Sequence, residues 1–208
     1  MNEHLRPHMF RIAPSRPPEP ERRRFTADEL EAMDRAGIIG PEERVELIDG
    51  EIITMAAKGN RHEIVRTRLF NFWARRLPLD LAIGVEPAFK LEFNNEPEPD
   101  IIIFPDALQV PEVRGDTVLL VVEVSDSSLS YDLKIKGPLY ARFGVRDYWV
   151  IDADTHDTHV HRDPKPEGYA SVVKVARIGQ VTPLFVPALA ARLADMRLME
   201  GGVGPFGP

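Results

Sequence analysis

Two apolar runs dominate the pattern along the chain, Ile101–Phe104 and Val118–Val124, the second holding a single glutamate, Glu123. Each is continuous rather than alternating, which reads as a strand buried on both faces. Ahead of them, Arg44–Ile48 and Glu51–Met55 flank Asp49-Gly50, the pattern of a hairpin with a type I′ turn. Between about Arg61 and Leu77, apolar Val65, Leu69, Phe72 and Trp73 recur at helical spacing, and Pro78 stops the run. Thr26-Ala27-Asp28-Glu29 has the form of a capping box and predicts a short helix to about Ala36. Strands are predicted near Ala82–Val85, Phe89–Phe93, Tyr148–Asp152, Thr158–Arg162 and Val172–Val175, the Tyr148 and Thr158 strands as a pair. Tyr131–Phe143 reads as a helix closed by Gly144 at C′. Pro138 implies an irregular first turn there, or a regular helix that begins near Gly137.

Hairpin and helix, consecutive strands, a helix and a final set of strands predict an α/β fold, an α+β sandwich around one mixed sheet. The order is not a regular alternation, and no glycine-rich phosphate loop of Rossmann or Walker type occurs. Residues 25–195 form one predicted domain. Residues 1–24 hold five prolines and six arginines without apolar periodicity and predict a flexible arm; 196–208 predict a disordered tail.

Composition excludes little but excludes it firmly. With 43% hydrophobic and 28% charged residues the chain is that of a folded globular protein. No cysteine is present, so there is no disulfide framework and no thiolate metal site. No apolar stretch reaches bilayer-spanning length, and the N-terminus lacks a secretory core, so a cytoplasmic location is expected. The net charge of −7 divides into +3 over residues 1–24 and −10 over the rest. An acidic body argues against constitutive nucleic-acid binding but permits phosphate chemistry when divalent metal screens the site.

The candidate chemistry lies in residues 97–136. Pro99-Asp100 opens the first apolar run, Glu123 sits in the second, and Asp132 and Lys136 follow a short polar loop. Buried strands rarely keep uncompensated carboxylates. If the two strands are neighbours, Asp100 and Glu123 can converge on a hard cation, with Lys136 placed to orient water or neutralise developing charge. Asp132, Lys136 and Tyr140 share one helical face, and Ile135, Leu139 and Phe143 form the neighbouring packed stripe. Bland readings stand beside these: Asp100 fixing a turn, Glu123 in a buried ion pair, Glu46 facing outward from the hairpin, and Asp132 serving a helix dipole. His62 is an interior histidine or a neighbour of the site. His159 and His161 alternate onto one face of an exposed strand.

At these residues the chain resembles a known family. The strings Val45-Glu46-Leu47-Ile48-Asp49-Gly50-Glu51, Pro99-Asp100, Val122–Ser128, Tyr131-Asp132, Lys136, Leu139–Ala141 and Tyr148-Trp149-Val150 are similar, in order, to the Uma-two family. Its members are restriction-endonuclease-like proteins of the PD-(D/E)xK nuclease superfamily, and the resemblance spans roughly residues 22–195. It implies a restriction-endonuclease-like mixed sheet flanked by helices. It also implies Asp100 and Glu123 as metal-binding acids, the Val124 carbonyl as a further ligand, Lys136 as the lysine supplied from the following helix, and Glu46 as an assisting acid. One departure stands out: the superfamily's usual lysine position, two residues after the glutamate, holds Ser125. The implied activity is Mg²⁺- or Mn²⁺-dependent endonucleolytic hydrolysis of DNA, by a homodimer since two-strand cleavage commonly needs two sites. Two alternatives stay open, a catalytically degenerate relative acting as a nucleic-acid-binding or assembly module, and hydrolysis of another phosphate-bearing substrate.

Overall fold

The computed structural model describes residues 22–196 and 198. Most of the expected arm and tail therefore lies outside the described residues. Of those that are described, Arg24 pairs with Glu51 at 2.7 Å and Leu198 is buried in the core.

Thr26 caps the first helix, α1 (Ala27–Arg35), and the Glu29 side chain reaches back to its amide, so the capping box forms as its sequence predicts. The hairpin follows as β1 (Val45–Ile48) and β2 (Glu51–Thr54). Asp49 and Gly50 both take positive φ, 48° and 76°, which the type I′ turn requires. Helix α2 (Asn60–Ala74) then leads into β3 (Leu81–Val85), β4 (Ile101–Pro105) and β5 (Leu120–Ser125). A single α turn, α3 (Leu129–Tyr131), passes into a π-helical segment (Asp132–Lys136) and then α4 (Gly137–Arg142). Strands β6 (Asp147–Asp152), β7 (Thr158–Lys165) and β8 (Gly168–Val175) complete the sheet. No helix among the described residues is long and apolar enough to cross a membrane.

The main sheet runs β3-β4-β5-β6-β7-β8, with β5 and β6 parallel and every other pair antiparallel. Parallel neighbours need a crossover, and the irregular helix between β5 and β6 supplies it. Alternation sorts the central strands. Ile101, Ile103, Leu120, Val122, Trp149 and Ile151 pack on α2 through Val65, Leu69 and Trp73. Ile102, Phe104, Val121, Tyr148 and Val150 pack on Leu139, Tyr140 and the hairpin's Ile48. Burial on both faces is why these strands read as unbroken apolar runs.

Three expectations are corrected here. Phe89–Phe93 is not a strand of the sheet. Prolines at 87, 97 and 99 remove ladder donors on either side of the segment, so no long strand can run through it. It folds back on itself through Leu91 N to Asn95 O at 3.0 Å and docks on β1 through the Leu47–Glu96 bridge. Phe89 and Leu91 still enter the core, whereas Phe93 is exposed. Nor do Ile135, Leu139 and Phe143 form one packed stripe. The π turn, closed by Gly137 N–H to Asp132 O, takes one residue more than an α turn, and Ile135 is left 46% exposed. The irregular first turn and a regular helix from Gly137 are both present. Gly144 has φ +80° just beyond the helix end. His161, expected on an exposed strand, is buried against Tyr148 and Tyr169, with centroids 5.2 and 5.5 Å away.

The end of α4 leaves almost no space for the loop that precedes β5. A Cβ built on buried Gly115 falls 2.0 Å from the carbonyl oxygen of Phe143. Gly115→Ala should therefore destabilise the protein by about 3 kcal/mol, the upper end of ordinary overpacking, read as a lowered midpoint in urea.

Candidate active site

Antiparallel register explains how two acids 23 positions apart meet. Ile101 stands opposite Val122, so the next step of the ladder sets Asp100 against Glu123. Opposite residues on one face of such a pair have Cβ atoms about 5 Å apart. Asp100 shares its parity with Ile102 and Phe104, and Glu123 with Val121, so both side chains fall on the face covered by the hairpin and the crossover helix. They lie in the floor of a cleft of about 390 Å³. Its walls are β2 and the loop after it, the first turn of α2, and the 126–132 segment.

Asp100 is 3% exposed. Its Oδ2 accepts the Val124 amide at 2.7 Å, while Oδ1 faces Lys58 Nζ at 2.6 Å and His62 Nε2 at 2.9 Å. Burial pushes this carboxyl up, but the hydrogen bonds and charges of His62 and Lys58 outweigh it and hold the pKa at about 2. Glu123 has the opposite balance. Its Oε1 accepts from Lys136 Nζ at 3.1 Å and Tyr140 OH at 3.0 Å. Complete burial, with Asp132, Asp100 and Glu46 nearby, drives its pKa well above 4.5 despite Lys136.

Lys136 is 2% exposed and held between Glu123 and Glu46, whose Oε2 lies 2.9 Å away. Burial alone would lower its pKa, yet Glu123, Glu46 and Asp132 together raise it, so the group is an ammonium at neutral pH. Glu46 is 1% exposed and accepts the Tyr131 hydroxyl at 2.9 Å. The outward reading of Glu46 is thus overturned: it shares a face with Ile48 and points into the cleft. Ser125 donates to Asp132 Oδ2 at 2.6 Å, as does Ser128 at the same distance. Burial raises the Asp132 pKa in spite of both hydroxyls. A dipole role alone does not account for a carboxyl buried this way.

The three principal residues, Asp100, Glu123 and Lys136, therefore line one cleft with Glu46, Asp132 and Val124. His62, which α2 turns inward beside Val65, reaches Asp100. Sequence reasoning missed Lys58 entirely. It sits in the loop between hairpin and α2, among Ala56, Ala57 and Gly59, where no periodicity or motif marks it. Tyr131 and Tyr140 were visible only as helix residues.

The donor set fits a hard divalent cation. Four buried carboxyls (Glu46, Asp100, Glu123, Asp132) share the cleft with Lys58 and Lys136; Asp100 is held ionised, while burial pushes Glu123 and Asp132 toward their neutral forms. No cluster of three or more His, Asp or Glu side chains at ligating distance occurs among the described residues. Magnesium typically takes one or two carboxylates and keeps waters, so opposed Asp100 and Glu123 with a backbone carbonyl suffice. A soft, all-protein tetrahedral site of the zinc type does not fit.

A family model described as Uma2, "Putative restriction endonuclease", matches residues 27–194. The chain is also similar to a crystal structure described as a putative nuclease belonging to DUF820 from Anabaena variabilis ATCC 29413. That likeness has a TM-score of 0.58 at 16% identity, over 73% of this chain and 88% of the other. At such identity it is a likeness of fold. No curated protein matches.

Two outcomes follow from the electrostatics. Lys136→Met leaves Glu46 and Glu123 buried without their cation and should cost about 3–5 kcal/mol of unfolding free energy. Adding Glu123→Gln should recover part of that loss in denaturant titrations. The second concerns acid. With a folded pKa of about 2 against an ordinary 3.8, Asp100 contributes stability that is complete above about pH 4 and lost as pH falls through 2. Glu123 acts in the opposite sense and at higher pH, since its contribution fades as pH rises past 4.5. In metal-free protein, Asp100→Asn should flatten the acid limb of stability between pH 4 and 2 by about 2 kcal/mol. An unchanged limb would show that Asp100 is not the ionised partner of His62 and Lys58.

Proposed function

Since the chain belongs to the Uma2 family, we propose that it is a divalent-metal-dependent nuclease that hydrolyses DNA phosphodiester bonds. The observation that carries this reading is the pair Asp100 and Glu123, set opposite each other on β4 and β5 in a cleft lined by four buried carboxyls. Asp100, Glu123 and the Val124 carbonyl would hold Mg²⁺ or Mn²⁺. When bound, such a cation supplies Lewis-acid polarisation of the phosphate and acidifies bound water.

The remaining roles belong to the chain itself. Lys136 stays protonated, which suits it to stabilise charge on the phosphate and orient the attacking water rather than to act as a base. Glu46 fixes the Lys136 ammonium from the hairpin side and is the nearest further carboxylate available to assist water. Tyr140 orients Glu123 through its hydroxyl, and His62 orients Asp100. Asp132, gripped by Ser125 and Ser128, anchors the π segment from which Lys136 projects. The cleft is walled by apolar Ile53, Met55, Ala56 and Ala57 on the hairpin side, which limits the water that can enter. Cutting both strands of a duplex calls for two such sites, and we extend the proposal to a homodimer.

The net charge of −7 favours one competing reading, a non-catalytic module on the same fold. A cleavage panel of plasmid, linear and branched DNA with Mg²⁺ or Mn²⁺ separates them. Asp100→Ala, Glu123→Ala and Lys136→Ala should each lose about 10²-fold or more of the cleavage rate, and Glu46→Ala less. If no substrate is cut, or the three variants cut as well as the parent, the nuclease reading is wrong.

A further inference from the structure

Lys58 has no part in the chemistry above, yet it makes the shortest contact to Asp100. Its Nζ stands 2.6 Å from Asp100 Oδ1, and the same ammonium pairs with Glu86 Oε1. Asp100 Oδ1 also takes His62 Nε2, and Oδ2 takes the Val124 amide. A carboxylate offers about four lone-pair directions, so an arriving cation finds only one unengaged and shares the group with an ammonium. The donor whose charge opposes the cation is the one to yield.

The three differ in how firmly they are held. Val124 is fixed in β5 by its pairing with Ile151 of β6. His62 is 5% exposed and sits in the first turn of a fifteen-residue helix. Lys58 is carried by a loop between two alanines and a glycine, on a flexible four-carbon stem. It already has a second acceptor in Glu86. Repulsion between a divalent ion and an ammonium pushes it the same way.

Beyond Lys58 lies a second cleft of about 400 Å³, where Glu42, Glu63 and Glu86 stand with Arg44 and Arg66. Arg66 pairs with Glu63 and Glu86, and Arg44 with Glu98. An ammonium swung off Asp100 would stay paired with Glu86 among these acids. Lys58 lines both clefts.

Resting on the nuclease reading, we propose that Lys58 is a displaceable counter-ion. It occupies Asp100 until a divalent cation takes the carboxylate, then turns into the second cleft with Glu86 as its remaining partner.

Mn²⁺ titration of the full chain, followed by the electron paramagnetic resonance of free Mn²⁺ without DNA, tests this. Lys58→Met should bind Mn²⁺ about tenfold tighter than the parent, because a competing charge is gone. Lys58→Arg, which keeps the charge, should match the parent and controls for folding. Mn²⁺ binding no tighter in Lys58→Met overturns the displacement. A parent that binds Mn²⁺ no better than Asp100→Ala defeats the nuclease reading itself, which keeps the two failures apart.

Discussion

The ammonium of Lys136, held between Glu46 and Glu123, is the contact on which the architecture of the cleft depends. It joins three elements: the hairpin through Glu46, the central sheet through Glu123, and the crossover helix that carries Lys136 itself. Buried ion pairs add little net stability, since desolvation offsets attraction, but removing one partner is costly. Such a contact therefore selects one arrangement more than it strengthens it. Tyr131 on Glu46 and Tyr140 on Glu123 fill further acceptor positions and narrow the choice again.

The π segment is the local device that makes this contact. Pro138 has no amide to donate, so a regular helix cannot run undisturbed through Lys134 to Pro138. The chain widens instead, with Gly137 N–H and Tyr148 OH both satisfying the Asp132 carbonyl, the latter at 3.0 Å. The result keeps both Asp132 and Lys136 inward while Ile135 goes out to solvent. Widened turns of this kind recur at functional sites because they aim side chains that a regular helix would place elsewhere. Ser125 anchors Asp132 from the end of β5.

Electrostatically the cleft holds unlike halves. Asp100, with His62, Lys58 and a backbone amide, is kept ionised; Glu123, enclosed and facing other acids, is pushed toward its neutral form. Environments that drive neighbouring carboxyls apart are a mark of chemically active sites, although structural networks do so too. The same imbalance makes the cleft receptive to added positive charge.

Much of this was written in local pattern. The Asp-Gly turn, the Thr26 capping box, the apolar faces of α2 and the unbroken runs of β4 and β5 follow from backbone and solvation preferences that act over a few residues, so the sequence alone determined them. It also singled out Asp100, Glu123 and Lys136, because acids in apolar strands are rare and their order resembles a family. Tertiary structure decided the rest. Phe89–Phe93 has strand-like alternation but too few donors near its prolines, and its fold-back exists only because β1 offers a bridge at Leu47. Glu46 looks like any hairpin residue until the hairpin is laid over the sheet. Lys58 carries no local signal, since its importance comes from Asp100, 42 positions away. Short-range preferences are legible in a string of residues; which charges share a buried space depends on how distant strands and loops close around it.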